Sequence, residues 1–348
     1  MTKRVIVDQA GTEYWAAQTL TYDAQGRLSI RDILNDDASR TVTFYDAANA
    51  ESWARVVENY DQSGRMLNRA TTYDDGGRGV SQYDIAGTQN WSEFLTSYNA
   101  SGARYRTDIT YDAGGKLTTY YDADSSKDWT KQAFTYNISG DIVSQATNFD
   151  DGSRSVISYD VDGTQPWTWY SGTYDATGTL MVQGQLLDDG STLQVLRDGH
   201  DMAGWSKVSS LFNTSGEVAA RSMYTDSGVH AGIQYDVANT EAYAVQARIY
   251  FADGTLAYGA QFKDDGSYLE NTDAANWQVL EEIGGVVAHR SADLGDGLRL
   301  TIDYDLANAQ DWMAYAKLED GSGATLYSFT LSDDGSFQEQ TAISDWLA

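Results

Sequence analysis

The sequence predicts an all-β chain, a tandem-repeat antiparallel β-meander with three strands per 38-residue unit, wound or elongated. Three observations carry this. Trp15, Trp53, Trp91, Trp129, Trp167 and Trp205 stand 38 residues apart, with Tyr243 in the next place, and a fixed period of this kind marks a repeat array. Tyrosine (24), tryptophan (10) and glycine (32) are abundant against a single proline, Pro166, as suits many strands joined by tight turns. No stretch sustains a helical apolar period, so few helices are expected.

Each element of a unit has its own column. The first strand runs from the marker to an aromatic seven residues on: Tyr22, Tyr60, Tyr98, Tyr136, Tyr174, Phe212 and Tyr250. A turn follows, with glycine eleven residues after the marker, from Gly26 and Gly64 to Gly254 and again Gly323. The second strand ends at an aspartate twenty-one residues after the marker, as at Asp36, Asp74, Asp150, Asp264 and Asp333. The third strand ends at an aspartate seven residues before the next marker, from Asp8 and Asp46 to Asp236 and Asp305. The first two connections carry hairpin chemistry, in which Asp or Asn caps backbone N–H groups and glycine supplies the positive φ. The third connection is longer and variable, as in Asp84-Ile-Ala-Gly-Thr-Gln-Asn90.

An odd number of strands per unit reverses alternate units in a pure meander. That continuous antiparallel meander is the expected topology; a β-solenoid or a propeller-like closure is the alternative. In the first strand the marker and the aromatic seven residues on differ in parity, so an unbroken strand points them to opposite faces. Both faces are then expected to carry an aromatic row, in a sheet wrapped on itself or stacked in layers and without one dry face. Residues 1–276 form the regular units, the first of them partial, as expected of a segment cut from a longer array. Residues 277–348 are degenerate repeats expected to act as a C-terminal cap. There Trp277, Trp312 and Trp346 follow at 34, 35 and 34 residues, with shortened connections at Asp273-Ala-Ala-Asn276 and Ile283-Gly-Gly285.

Charge excludes several functions. With 51 acidic and 23 basic side chains the formal net charge is -28, which opposes nucleic acid, bound through Lys and Arg, and anionic lipid. Membrane insertion is not expected, since no apolar run approaches a membrane helix. The opening residues, Met1 to Asp8, hold no apolar run of signal-peptide length. Cysteine is absent, which removes disulfides, thiolate zinc sites and cysteine nucleophiles. Four turn columns hold 26 of the 51 acids, all aspartate, so about half of the acidity is turn chemistry and by itself implies no cationic partner.

No catalytic constellation stands out, and the chain is read as a non-enzyme with no cofactor. His200, His230 and His289 fall in different columns without a shared partner. Paired carboxylates such as Asp150-Asp151, Asp188-Asp189 and Asp264-Asp265 sit in near-identical turns, whereas acid/base catalysis needs unlike environments. Calcium is the one metal weighed, because Asp-rich turns supply hard oxygen ligands. Its candidates are Asp160 and Asp162, and Asp293 and Asp296, without an EF-hand or a nonapeptide calcium repeat around them. Trp53, Trp91, Trp129, Trp167 and Trp169 are candidate ligand-binding residues, since regularly spaced rings stack on sugars beside Asp, Asn and Gln. Against this stands packing of each Trp on its neighbours in a core that needs apolar surface. Trp169, outside the column, is expected to be the more exposed.

The recurring Tyr-Asp-x-x-Gly-x-Leu phrase, as in Tyr22-Asp-Ala-Gln-Gly-Arg-Leu28, resembles the YD repeat of Rhs and teneurin proteins, whose hairpins wind into a β shell. The fixed tryptophan, the third strand and the Asp-Asp-Gly second turn depart from that pattern. The whole unit, with phrases such as Tyr45-Asp-Ala-Ala-Asn-Ala-Glu-Ser-Trp53 and Tyr159-Asp-Val-Asp-Gly-Thr-Gln-Pro-Trp167, is similar to arrays in large acidic RTX-adhesin-like proteins of Gram-negative bacteria. That resemblance covers most of residues 1–276 and implies type I secretion, an extracellular or cell-surface location and calcium outside the cell. It also implies a C-terminal export signal, for which Ile343-Ser-Asp-Trp-Leu-Ala348 is the candidate.

The leading expectation is a non-enzymatic extracellular repeat protein, a structural or adhesive segment of a bacterial surface or secreted protein. Its partners would be extracellular polysaccharide or neighbouring copies of the same repeat. A lectin-like module using the Trp and Asp rows is the alternative, and an Rhs-like accessory shell is the third reading.

Overall fold

The computed structural model describes residues 1–271 and 277–341, which form antiparallel strands and turns and, among these residues, no helix. The connection at Asp273–Asn276, Trp346 and the tail Ile343–Ala348 lie outside the described residues. The chain divides into two compact units, Met1–Asp162 and Gly163–Ala348.

The first unit is a single sheet. It opens with β1 (Thr2–Val7), followed by β2 (Trp15–Tyr22), β3 (Leu28–Asn35) and β4 (Arg40–Tyr45). The next two repeats supply β5 (Trp53–Tyr60), β6 (Met66–Tyr73), β7 (Arg78–Tyr83), β8 (Trp91–Tyr98), β9 (Arg104–Tyr111) and β10 (Lys116–Tyr121). The last gives β11 (Trp129–Tyr136), β12 (Ile142–Phe149) and β13 (Arg154–Tyr159). Every strand pairs antiparallel with the next in sequence, across the long connection as well as the short ones. The pure meander is therefore the observed topology. Neither the parallel coils of a solenoid nor the sheet breaks of a propeller occur within this unit.

The turns are built as the residue types demand. Asp61 Oδ1 accepts from the backbone N–H groups of Ser63 (2.9 Å) and Arg65 (2.8 Å), and Gly64 takes φ 80°. In the long connection Asp46 Oδ2 accepts from Glu51 N at 2.8 Å and Asn49 takes φ 53°, a value that Asn tolerates.

A β-bulge at each marker of the regular repeats changes the expected parity. In β5, Trp53 lies opposite Tyr73 and Arg55 opposite Thr72, which leaves Ala54 as the extra residue. The marker and the residue three positions on then share a face, and their rings meet: Trp91 and Phe94 centroids are 6.0 Å apart. The aromatic seven residues on falls on that face too. The opposite-face expectation is corrected, because the bulge adds one residue to the count.

Register then places successive markers on opposite faces. Thr96, on the face of Trp91, lies opposite Val80, which lies opposite Ala70, which lies opposite Val57. Val57 faces away from Val56 and Trp53. Three strands reverse both strand direction and marker face, so each repeat is related to the next by about a half-turn.

In this one layer, apolar burial is sparse, with Ile33, Val42 and Val56 the buried aliphatics. Thr43, Thr96, Thr107, Thr118, Thr119 and Thr147 are buried beneath longer neighbours instead. Cation–aromatic pairs reinforce the ladders, with the Arg104 guanidinium carbon 3.9 Å from the Tyr121 ring centroid.

The second unit contains two sheets. The first comprises β14 (Trp167–Tyr174), β15 (Leu180–Leu187), β16 (Thr192–Arg197), β17 (Trp205–Phe212), β18 (Val218–Thr225), β19 (His230–Tyr235), β20 (Tyr243–Tyr250), β21 (Leu256–Lys263) and β22 (Tyr268–Asn271). The second comprises β23 (Trp277–Ile283), β24 (Val286–Gly295), β25 (Leu298–Tyr304), β26 (Trp312–Glu319), β27 (Thr325–Ser332) and β28 (Phe337–Thr341). Leu300 and Ile302 on β25, Leu318 on β26, and Phe329 on β27 pack against Met223, Ile233, Ile249 and Tyr258 of the first sheet. Each such side chain contributes about 1.5–3 kcal/mol on burial. Against the expectation of a sheet without a dry face, this unit has one, because its strands alternate aliphatics where earlier units carry Thr and Gln. The degenerate repeats thus cover a face of β17–β22.

Candidate functional site

The candidate tryptophans do not gather. Trp53 and Trp129 lie on one face of the first unit and Trp91 on the other, by the register of β5 to β11. Markers on one face are six strands apart, roughly 29 Å, too far to stack on adjacent sugar rings. Among the described residues all of the marker tryptophans are half-buried. In the second unit Trp167 packs on Tyr170 with centroids 6.2 Å apart, while Trp205 packs against the core. Trp169 is half-buried as well, on the face opposite Trp167; a Cβ built on Gly184 would lie 3.3 Å from its ring.

The metal candidates separate into two places. Asp160 and Asp162 end the first unit, whereas in the second Asp293 lies near the end of β24 and Asp296 in the turn that follows it. Asp293 Oδ1 accepts from Gly295 N at 2.9 Å, and Asp296 takes φ 50°. Among the described residues no group of three His, Asp or Glu is placed to hold a metal ion.

The histidines are equally scattered. His200 Nε2 meets Asp175 Oδ2, and His289 Nδ1 meets Asp303 Oδ1 across β24 and β25. Among the described residues neither ring is bonded to a hydroxyl group, the third member that a hydrolytic triad needs. His230 stands in a column of rings instead. Its ring stacks on Tyr224 (4.2 Å, 7°) and on Tyr250 (5.6 Å, 14°), and Lys207 Nζ sits 4.0 Å from the Tyr224 centroid. Burial, and then the Lys207 charge, hold His230 below its ordinary value, so the ring is neutral at pH 7.

Charge is distributed by face. In β1 to β21 the strand carboxylates are Asp32, Glu58, Glu93 and Asp108, all on one face of the first unit. Arg40 pairs with Asp32 at 2.6 Å, and Asp108 lies 2.7 Å from Arg106 and 2.9 Å from Lys116. Burial alone would raise the Asp108 carboxyl; hydrogen bonds from Arg106, Thr118 and Lys116 outweigh it and hold it below its ordinary value. The opposite face of that sheet carries Arg31, Arg55, Arg78, Lys131 and Arg154 without a strand carboxylate. The acidity lies mostly in turns at the sheet rims, where Asp61 and Asp175 are pulled to about 2, chiefly by the hydroxyls of Ser63 and Thr177.

The outward face of β16 to β21 holds a groove of about 250 Å³, lined by Ser209, Tyr224, His230, Gln246, Arg248 and Tyr250 among others. A second depression of about 210 Å³ continues it past Gln246 and Arg248 to Gln261 and Gly259. Arg248 lies opposite Gly232 on one side and Gly259 on the other. Sequence reasoning missed these residues, yet a signal was present. The column of Gly232 holds Val42, Val80, Thr118, Val156 and Gln194 in earlier units, and that of Gly259 holds Arg31, Arg69, Thr107, Gln145, Gln183 and Arg221.

These features define an all-β tandem-repeat protein of hairpin-linked strands. No family model matches the chain, and no curated protein does. Among solved structures it aligns with apo AztD from Citrobacter koseri at 10% identity, over 94% of this chain and 91% of that one, with a TM-score of 0.14. It also aligns with a TcdB2-TccC3 structure at 12% identity over 98% of this chain, with a TM-score of 0.12, and spans 22% of that longer chain. At these scores neither likeness assigns a function.

Proposed function

We propose that the protein is a non-enzymatic extracellular repeat protein, a structural or adhesive segment of a bacterial surface or secreted protein. One observation supports this most: the first unit is a single meander sheet, extended by equivalent hairpins without any dry core. Such a design adds length and solvated surface with every repeat, since each unit needs only its neighbours. The rim acidity suits solubility, and the resemblance to RTX-adhesin arrays supports secretion. Calcium, on this reading, screens the turns without a dedicated cage.

Antibody against the chain, applied to intact and lysed cells and to culture medium of the source bacterium, tests the location. Label on intact cells or in the medium, with fewer cells attached to a surface after deletion of the repeats, is the expected result. Signal confined to lysed cells contradicts the proposal.

The lectin-like alternative loses its Trp rows, because the markers alternate between faces. It would have to rest on other residues.

A further inference from the structure

We propose that the groove around Arg248 on β20 is a binding site for an acidic oligosaccharide, one whose sugar rings bear carboxylates. The assignment is independent of the adhesive reading.

Two glycines flank Arg248. Gly232 and Gly259 lie inside β19 and β21, where glycine weakens a strand and often marks the close approach of a ligand. Neither has a positive φ. A Cβ on Gly232 would meet its nearest neighbours, Arg221 O and His230 Nε2, at 3.5 Å, and one on Gly259 would meet Leu256 Cδ2 at 3.6 Å. Both are ordinary contacts, so neither backbone nor packing demands glycine. What the two glycines do is clear the space on both sides of Arg248, which is exposed.

The chemistry of the cleared space is consistent. Among the described residues Arg248 forms no ion pair, and β14 to β21 carry no carboxylate at all, in a chain of net charge -28. Lys207 adds a second positive charge, held over the Tyr224 ring. A guanidinium takes a carboxylate through two parallel N–H bonds. Gln246, Gln234 and Ser209 line the same groove and Gln261 its continuation; amides and hydroxyls both donate and accept, as sugar hydroxyls do. The column of Tyr224, His230 and Tyr250 forms a rigid wall, and the neutral His230 ring adds no charge that would bind small anions indiscriminately.

Titration calorimetry of the full chain with trigalacturonate at neutral pH and low salt tests this, with its methyl ester and inorganic phosphate as comparison probes. The expected result is saturable binding of trigalacturonate, with the ester and phosphate weaker by about tenfold or more. Arg248→Gln should weaken binding by a similar factor at unchanged melting temperature, and Gly259→Val should do so by filling the groove. Arg55→Gln, on the first unit, should bind as the wild type does. The proposal is overturned by an absence of binding, by equal binding of the ester or of phosphate, or by an Arg248→Gln variant that binds normally. Should Gly259→Val misfold, Arg248→Gln decides alone, because the side chain it changes is exposed.

Discussion

Arg221 and Glu339, 118 residues apart, meet between the two sheets of the second unit, where Arg221 Nη1 donates to Glu339 Oε2 at 3.2 Å. The Glu339 side chain is 3% exposed and that of Arg221 27%. Tyr235 donates to the same oxygen at 3.4 Å. Burial holds the Glu339 carboxyl above its ordinary value, although Arg221 and the hydroxyls of Tyr327 and Tyr235 oppose the shift. The pair fixes which residues of β18 and β28 face one another. A second interlayer bond, from Tyr304 to Glu270 at 2.8 Å, does the same for β22 and β25.

Removing one partner should therefore destabilise more than removing both. Glu339→Ala leaves a mostly buried guanidinium unpaired and is expected to cost about 3 kcal/mol, whereas the Arg221→Met, Glu339→Leu double variant should regain most of that. Urea unfolding of the three proteins reads the difference. Additive losses in the double variant would contradict the coupling.

Acid should act on the two kinds of carboxylate with opposite sign. Asp61 and Asp175 have folded values depressed to about 2 from 3.8, so their contribution is present above 3.8 and lost as pH falls through about 2. Glu339 has a raised folded value, so its contribution is full below 4.5 and lost as pH rises through that raised value. Melting curves across the acid range should show Asp61→Asn losing less on acidification than wild type. Glu339→Gln should flatten the profile above 4.5. An Asp61→Asn profile that matches wild type would rule out the turn carboxylate as the acid-sensitive group.

The bulge residue sets the face of the marker. Deletion of Ala54 should restore strict alternation, turn Trp53 to the opposite face and lower the stability of the first unit. Trp53→Ala should cost about 2 kcal/mol, near half the value for a fully buried ring. Because the described marker tryptophans are half-buried, acrylamide should quench them to an intermediate degree. Full protection of the Trp emission would contradict this exposure.

Divalent cations should act through screening alone. The turn aspartates already accept backbone N–H bonds, as Asp61 does from Arg65 and Asp293 from Gly295. Calcium and magnesium are expected to raise the melting temperature equally at low ionic strength, and chelator to leave it unchanged. A calcium-specific rise would instead point to a dedicated cage.

Strand order and turn types were legible because they are local. Asp61 and Gly64 determine their hairpin through bonds within five residues, and Asp175 and Asp320 cap theirs in the same way. The marker faces were not legible, because Ala54 looks like any strand residue until its partner strand leaves it unpaired. Trp167 and Trp169, two residues apart, illustrate the same point, since a bulge sends them to opposite faces.

The amino-acid sequence by itself determined the three-strand unit, its hairpins and the location of the acids, since each depends on propensity and hydrogen bonds between near neighbours. Tertiary structure alone decided that β23–β28 cover β17–β22, that Arg221 meets Glu339, and that Arg248 stands clear between Gly232 and Gly259. Those relationships depend on register and layer packing, where partners far apart in the chain choose one another by shape, charge and the water they exclude.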